Sequence, residues 1–198
     1  SRQYNEVRVY WDNGGEEMLK GEKRREQILA AAEEMFYQNG YERTTVSDII
    51  TALGLSKGGF YHHFESKEAL LQAICDRKAE DSYAAARRAV DDCPGSWADK
   101  FNAMFDQYGM WQSGNADFMG LLIRVAYRED NLIMRDKLKR KSMGLMLPLV
   151  EEIVKGGVAA QEFITPYPEG TGMLVLQLGS SFSDSIAGLL LRGDAPPD

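Results

Sequence analysis

Apolar residues recur every three or four positions along most of the chain, which is the period of an amphipathic α-helix. Strict alternation of apolar and polar residues, typical of strands, is missing from the sequence. Glycine and proline interrupt the helical pattern, notably at Asn39-Gly40, Gly54, Pro94-Gly95 and between Pro166 and Pro168. The pattern therefore predicts an all-α protein.

The segments predicted as helices cover residues 21–38, 46–53, 57–64, 66–93, 97–112, 115–128, 130–155 and 171–191. Pro148 lies inside the seventh segment, where it either kinks the helix or starts a new one, and Gly156-Gly157 is expected to end it. Residues 1–17 carry no sustained period and are expected to form a flexible tail or an added extension.

The stretch from Thr44 to Lys67 is the most informative part of the chain. Apolar residues at positions 46, 49, 50 and 53 form one face of a short helix, which Thr44 or Thr45 can cap at its start. Gly54 suits the left-handed residue that ends such a helix, and Ser56 can cap a second one. Two helices joined by so short a turn predict a helix-turn-helix.

The second of these helices is unusual because glycines occupy positions 58 and 59. Each costs roughly 1 kcal/mol of helix stability relative to alanine, so packing alone explains them poorly. In a helix-turn-helix the start of the second helix enters the major groove, where small side chains let the backbone approach and Lys57 can donate to guanine.

These residues carry a family resemblance. The stretch TTVSDIITALGLSKGGFYHHFESKEALL, with REQILAAAEEMFYQNGYERTT before it, resembles the DNA-binding signature of the TetR family of bacterial transcriptional regulators over residues 23–74. The resemblance implies that Thr45 and Lys67 meet phosphates, and that Tyr61 and His63 contact the DNA backbone. The predicted DNA-binding set is Thr45, Ser47, Lys57, Gly58, Gly59, Tyr61, His62, His63 and Lys67.

The resemblance also implies a division into two domains. Residues 18–66 would form an N-terminal three-helix helix-turn-helix DNA-binding domain, and residues 67–198 a C-terminal helical ligand-binding and dimerisation domain. The implied partners are a double-stranded DNA operator, a small-molecule effector and a second copy of the chain.

The charge distribution agrees with a DNA-binding N-terminal region better than the total charge does. The formal net charge is -7 over 198 residues, whereas a nucleic-acid partner usually favours a basic surface. Between Lys20 and Lys67, however, seven basic and seven acidic residues balance, so the excess negative charge lies elsewhere. A neutral DNA-contacting region on an acidic protein limits non-specific DNA binding.

Aromatic and methionine side chains are concentrated between residues 97 and 128, where they could line an apolar ligand cavity. The competing interpretation is that most of them are ordinary core residues. The predicted cavity residues are Phe101, Met104, Phe105, Tyr108, Trp111, Phe118, Met119, Leu122, Arg124 and Tyr127.

The last predicted helix is apolar nearly all round. Gln177, Asp184 and four serines argue against a membrane span, and small residues such as Gly179 and Ser183 favour close packing against a second copy. A monomer that buries this helix internally is the alternative. The predicted dimer-interface residues are Leu145, Leu149, Ile153, Leu174, Leu178, Phe182 and Ile186.

Catalytic and metal-binding patterns are missing from the sequence. His62 and His63 are the only histidines and, as neighbours on a helix, point in different directions, while Cys75 and Cys93 lack the spacing of a zinc site. Neither a cofactor nor a metal is expected, and a signal sequence is not apparent, which favours the cytoplasm. We expect a ligand-responsive repressor; the alternatives are an enzyme, or a helical small-molecule-binding protein without a specific DNA target.

Overall fold

A computed structural model describes residues 20–128 and 131–193, and throughout these ranges the regular structure is helical. The predicted all-α class is confirmed. The predicted tail, residues 1–17, lies outside the described residues. The helices are α1 (Lys20–Asn39), α2 (Val46–Leu53), α3 (Lys57–Tyr61), α4 (Lys67–Asp91), α5 (Trp97–Gly114), α6 (Ala116–Ala126), α7 (Leu132–Ala159) and α8 (Pro168–Gly193).

The two ends of α2 are held by the residues that the sequence indicates. The Thr45 hydroxyl accepts a hydrogen bond from the Asp48 backbone N–H at 3.2 Å, and the Asp48 carboxylate accepts one from the Thr45 backbone N–H at 2.8 Å. This reciprocal capping box satisfies two amides that a helix start leaves unpaired. Gly54 ends α2 in the left-handed region, with φ of 59°.

Helix α3 is shorter than predicted. It ends at Tyr61, with His62 as its C-terminal cap, so His63 and Phe64 lie outside it. Glycine is a weak helix former, and the next helix begins with its own cap, in which the Ser66 hydroxyl accepts from the Ala69 amide at 3.1 Å. Phe60 and Phe64 nevertheless share an inward direction, and both are buried.

The chain forms two compact units, which meet in sequence between Ile74 and Cys75. This point lies inside α4, whereas the sequence-based division lies at its start. In the first unit α1 packs on α2 and α2 on α3. Its buried apolar residues are Ile28, Leu29, Ala32, Phe36, Tyr41, Ile49, Phe60, Phe64, Leu70, Leu71 and Ile74.

The second unit has a core formed by α4, α5 and α7. It contains Ala86, Val90, Met104, Met146, Leu149, Val150, Ile153 and Val154, with Val175 and Leu176 of α8 packed against it. Ion pairs add a second connection between α4 and α7, because Arg87 of α4 bonds Glu152 of α7, and Lys141 of α7 bonds Glu80 of α4 at 3.0 Å. Arg87 also bonds Asp91 within α4. Most of these side chains are exposed, so packing supplies most of the stability.

The predicted end of α7 at Gly156-Gly157 is wrong, since the helix continues to Ala159. The two glycines make room for aromatic rings. A Cβ atom added at Gly156 would lie 2.4 Å from the Trp97 ring, and one added at Gly157 would lie 2.2 Å from Phe163. Here glycine permits close packing and does not stop the helix.

One side of α8 is covered by its own chain and the other is not. Ala187 is buried, whereas Leu174, Leu178, Phe182 and Leu189 are each at least 60% exposed. By length and composition, Pro168–Arg192 could cross a membrane, which is weak evidence because the core helices of soluble proteins have the same length and composition. The helix therefore presents a continuous apolar surface within this single chain.

Candidate nucleic-acid interface and ligand cavity

The first turn of α3 presents an open surface. Lys57 and Gly58 are exposed, and nothing lies within 4 Å of a Cβ atom added at Gly58. Gly59 is different, because its added Cβ would lie 3.2 Å from the Ser56 hydroxyl, which accepts a hydrogen bond from the Gly59 amide. Glycine at 59 therefore fits the capping turn. At position 58, by contrast, a larger side chain would meet no steric obstacle within the fold.

The start of α2 lies on a rigid loop. The neighbouring Thr44 is buried, and its hydroxyl donates to the carbonyl groups of Gly40 at 2.9 Å and Met35 at 3.2 Å. Thr45 and Ser47 are both exposed. The buried threonine therefore holds the loop that leads into α2. The Thr45 hydroxyl donates to the Asp48 carboxylate at 2.7 Å within the capping box, so the exposed Ser47 hydroxyl is the better donor to a phosphate oxygen.

The aromatic residues after Lys57 divide between packing and exposure. Tyr61 is 45% exposed and meets Phe60 edge to face, with ring centroids 5.4 Å apart. His62 is exposed and His63 half-buried, with their rings 5.1 Å apart. Burial, and then the nearby charges of His62, Arg25 and Arg24, lower the pKa of His63 below its ordinary value, so His63 is neutral at pH 7.

Lys67 is engaged with the loop before α2. Its ammonium group donates to the Tyr41 carbonyl at 2.9 Å and lies 4.2 Å from the centre of the Tyr41 ring. An ammonium has three donors, so contact with a phosphate is compatible with this bond. The family resemblance implies the phosphate contact. The bond to Tyr41, which lies 26 residues earlier in the chain, has no sign in the sequence.

Basic residues of α1 also approach this region, although they are not in the predicted set. The Arg25 guanidinium lies 5.2 Å from the centre of the Phe64 ring. Arg24 and Arg25 are both close enough to His63 to lower its pKa. The basic run at residues 23–25 was the available sequence signal, but a basic first turn is equally typical of a solvated surface.

A cavity of about 600 Å³ lies among α5, α6, α7 and α8 in the second unit. Its wall includes six of the ten predicted residues, namely Met104, Phe105, Tyr108, Met119, Leu122 and Tyr127. The other lining residues include eight aliphatic or methionine residues from α7 and α8, among them Leu138, Met143 and Leu176, together with several serines and charged residues. Its size and lining are typical of small-molecule sites.

The four other predicted cavity residues lie outside the cavity lining. Phe101 packs between Phe105 and Phe163 at ring distances of 4.9 and 6.5 Å. Trp111 and Phe118 pair edge to face at 6.3 Å, beside rather than in the cavity wall. Arg124 is exposed on α6. The core interpretation therefore holds for the three aromatic residues.

One wall of the cavity carries a polar cluster. The Tyr127 hydroxyl donates to one Asp184 oxygen at 2.6 Å, and the Lys139 ammonium donates to the other. The Arg135 guanidinium lies 5.0 Å from the centre of the Tyr127 ring. Only Tyr127 of this cluster was predicted, although an aspartate inside the apolar α8 segment was a usable signal.

Hydrogen bonding and burial set the ionisation of this cluster. Burial alone would raise the pKa of Asp184, but hydrogen bonds from Lys139 and Tyr127 outweigh it and hold that pKa below its ordinary value. Burial and the bond to Asp184 raise the pKa of Tyr127. At neutral pH the wall thus holds a carboxylate, a neutral phenol and two cations.

The predicted dimer-interface residues also separate into two groups. Leu174, Leu178, Phe182 and Ile186 of α8 are exposed, and Leu145 of α7 is half-buried. Leu149 and Ile153 are buried in the core of their own chain, so assigning them to a dimer surface is wrong. The four-residue spacing that they share with Leu145 does not distinguish an internal face from an external one.

Comparison with known proteins agrees with this division between the two units. Residues 28–74 match the family model described as bacterial regulatory proteins, tetR family. The chain is 37% identical over 75 residues to the HTH-type transcriptional regulator TtgR of Pseudomonas putida, covering 37% of this chain and 36% of TtgR. It is 40% identical over 65 residues to the HTH-type transcriptional repressor Rv1474c of Mycobacterium tuberculosis, covering 33% and 35%.

These matches span only about a third of the length of each relative. The fold similarity extends further. The solved structure of the transcriptional regulator FadR from Bacillus subtilis, in complex with stearoyl-CoA, superimposes with a TM-score of 0.66 at 20% identity, covering 87% of this chain and 90% of FadR. An N-terminal helix-turn-helix domain followed by a helical domain is therefore confirmed as the fold.

Proposed function

Since residues 28–74 match the model of the tetR family of bacterial regulatory proteins, we propose that the protein is a member of that family and a dimeric, ligand-responsive repressor of transcription. It would bind a palindromic DNA operator and leave it when a small molecule occupies the second unit. The cytoplasm is the proposed location, because the operator is there. The matched relatives are named as regulators, which favours this role over catalysis.

The open first turn of α3 is the observation that carries the DNA-binding proposal. Gly58 costs helix stability and fills no steric need in the fold, while the exposed Lys57 lies next to it. Close approach to base edges accounts for both residues at once. The capping box of Thr45 fixes the start of α2 beside this surface, and the exposed Ser47 hydroxyl in the first turn of α2 is a further donor for a phosphate.

The second copy of the chain is the proposed cover for α8. Leu174, Leu178 and Phe182 repeat every four residues, so their exposed side chains form one stripe along the helix. Two such stripes packed across a two-fold axis would remove both from water. The pairing would also give two DNA-binding domains, whose recognition helices reach successive major grooves roughly 34 to 36 Å apart.

The DNA-binding proposal is tested by selecting bound sequences from a pool of random duplexes. We expect a motif with two-fold symmetry, and then measure its affinity by fluorescence anisotropy at two salt concentrations. Specific binding should exceed binding to unrelated DNA by roughly a thousandfold or more and should weaken as salt rises. If no motif is enriched, the chain is better described as a helical small-molecule-binding protein without a specific DNA target.

Two lysine variants separate base recognition from general electrostatics. Lys57→Ala should weaken binding to the selected duplex and relax the preference at one base position, by about 1 to 3 kcal/mol. Lys137→Ala removes the same charge from an exposed position on α7, and should leave the preference unchanged. Equal effects of the two variants would contradict direct reading by Lys57.

A further inference from the structure

The chemistry of the cavity wall selects among possible effectors. Apart from its polar cluster, the cavity is lined mainly by apolar side chains, which suit a hydrophobic body. The charged residues of the lining are Arg135, Lys139 and Asp184, so one positive charge remains in excess. This excess favours a ligand that carries one negative charge.

The hydrogen bonds within the polar cluster show which of the two lining cations, Arg135 or Lys139, still has N–H donors for a ligand. Lys139 is already paired with Asp184, and the second Asp184 oxygen accepts from Tyr127. Within the described part of the chain, the Arg135 guanidinium lies over the Tyr127 ring and its charge helps to lower the pKa of Asp184, while the hydrogen bonds of that carboxylate come from Lys139 and Tyr127. The planar guanidinium therefore keeps its hydrogen-bond donors for a partner, and its fork geometry matches a carboxylate.

We propose that this cavity binds a hydrophobic carboxylic acid, with the carboxylate held by Arg135 and the apolar body lying against Met119, Leu122 and Met143. The proposal rests on the effector site of the proposed function and names its ligand class. Asp184 disfavours a second negative charge nearby, and its pairing with Lys139 offers little to a ligand cation. The Tyr127 ring below the guanidinium keeps it in place.

Binding of three ten-carbon probes tests this assignment. Decanoate, decanol and decylamine share an alkyl chain and differ in the charge of the head group. Isothermal titration calorimetry at neutral pH, well below micelle-forming concentrations, should show decanoate binding at least about tenfold more tightly than the other two, with one site per chain. Equal affinity for all three probes, or tighter binding of decylamine, would overturn the assignment.

Three variants locate the charge that is responsible. Arg135→Gln should lower decanoate affinity about tenfold or more and leave decanol affinity unchanged, because a charge-assisted hydrogen bond is lost. Arg140→Gln, on the same helix but outside the lining, is the matched control and should change neither. Asp184→Asn removes the carboxylate and keeps an acceptor for Tyr127, so decanoate should bind more tightly to it.

An unchanged ratio of decanoate to decanol affinity in Arg135→Gln would overturn the role of Arg135, and weaker decanoate binding in Asp184→Asn would overturn the charge argument. The same variants are titrated with the selected DNA duplex. Sequence-specific DNA binding without an acid preference overturns the ligand class alone. An acid preference without sequence-specific DNA binding overturns the proposed function and leaves the ligand class standing.

Discussion

At the scale of single residues, Gly58 distinguishes the demands of folding from those of DNA binding. Because its surroundings are open, Gly58→Ala should leave the fold intact and stabilise it by up to about 1 kcal/mol. The added methyl group should nevertheless weaken binding to the selected duplex by keeping the backbone away from the bases. Thermal denaturation and fluorescence anisotropy measure the two effects.

Gly54→Ala is the matched control for this substitution. Gly54 has φ of 59°, where an alanine is strained, so this variant should lose about 1 kcal/mol of stability. A Gly58→Ala protein that unfolds as easily as Gly54→Ala, or that binds DNA as tightly as the unmodified chain, would contradict the assignment of Gly58 to the DNA interface.

The lowered pKa of His63 predicts that the stability of the protein depends on pH. Its pKa in the folded protein is below the ordinary 6.5, so on acidification through that value the unfolded chain takes up the proton first. The contribution of His63 is therefore fully present above pH 6.5 and is lost progressively below it. His63→Gln should show a smaller loss of melting temperature between pH 7.5 and pH 5.5.

This comparison is made on the same protein background, so carboxylates that titrate in the same range contribute equally to both proteins. An identical loss in the two proteins would mean that His63 is as solvated in the folded state as in the unfolded state. It would also remove the evidence that Arg24 and Arg25 act on this histidine.

Some residues were predictable from the sequence and others were not, for a physical reason. Thr45, Gly54 and Ser56 act on amides or dihedral angles within three residues, so local pattern reveals them. The bond from Lys67 to Tyr41, and the cluster of Tyr127 with Asp184, join positions far apart in sequence. Such contacts depend on tertiary packing, which periodicity does not encode.

At the scale of helices, α7 shows that glycine has two opposite meanings. The Gly156-Gly157 pair resembles a helix stop, yet each glycine lies against an aromatic ring inside a continuous helix. The same ambiguity explains why Leu149 and Ile153 were assigned to a dimer surface. An apolar helical face is visible in sequence, but the element that covers it is not.

Substitution of the glycines in α7 tests the packing argument. Gly157→Ala should destabilise the protein by about 1 to 3 kcal/mol, because its methyl group would meet the Phe163 ring. Gly144→Ala, in the same helix, has nothing within 4 Å of the added atom and should be neutral or stabilise by up to about 1 kcal/mol. Chemical denaturation measures both; similar values would contradict the packing role.

At the scale of the whole molecule, the exposed stripe of α8 predicts self-association. Phe182→Glu should shift the mass in light scattering from twice 22.2 kDa to that of one chain, because an unpaired charge in an apolar interface costs about 3 to 5 kcal/mol. Ile164→Glu adds the same charge at a fully exposed position outside α8, and should leave the mass unchanged.

A single chain mass for the unmodified protein, or dissociation of both variants, would contradict this assignment of the interface. Dissociated Phe182→Glu protein should also bind the palindromic duplex much more weakly than the dimer does, with about the affinity of a single half-site. The two half-sites act together only while the domains are joined.

The open surroundings of Gly58 have a consequence for how such a protein changes over generations. Because the space around Gly58 is open and Lys57 is exposed, substitutions there would alter the proposed DNA target at little cost to folding. New operator preferences are then accessible in single mutational steps. A library randomised at these two positions should be rich in folded members, and so provides a practical starting point for engineered regulators.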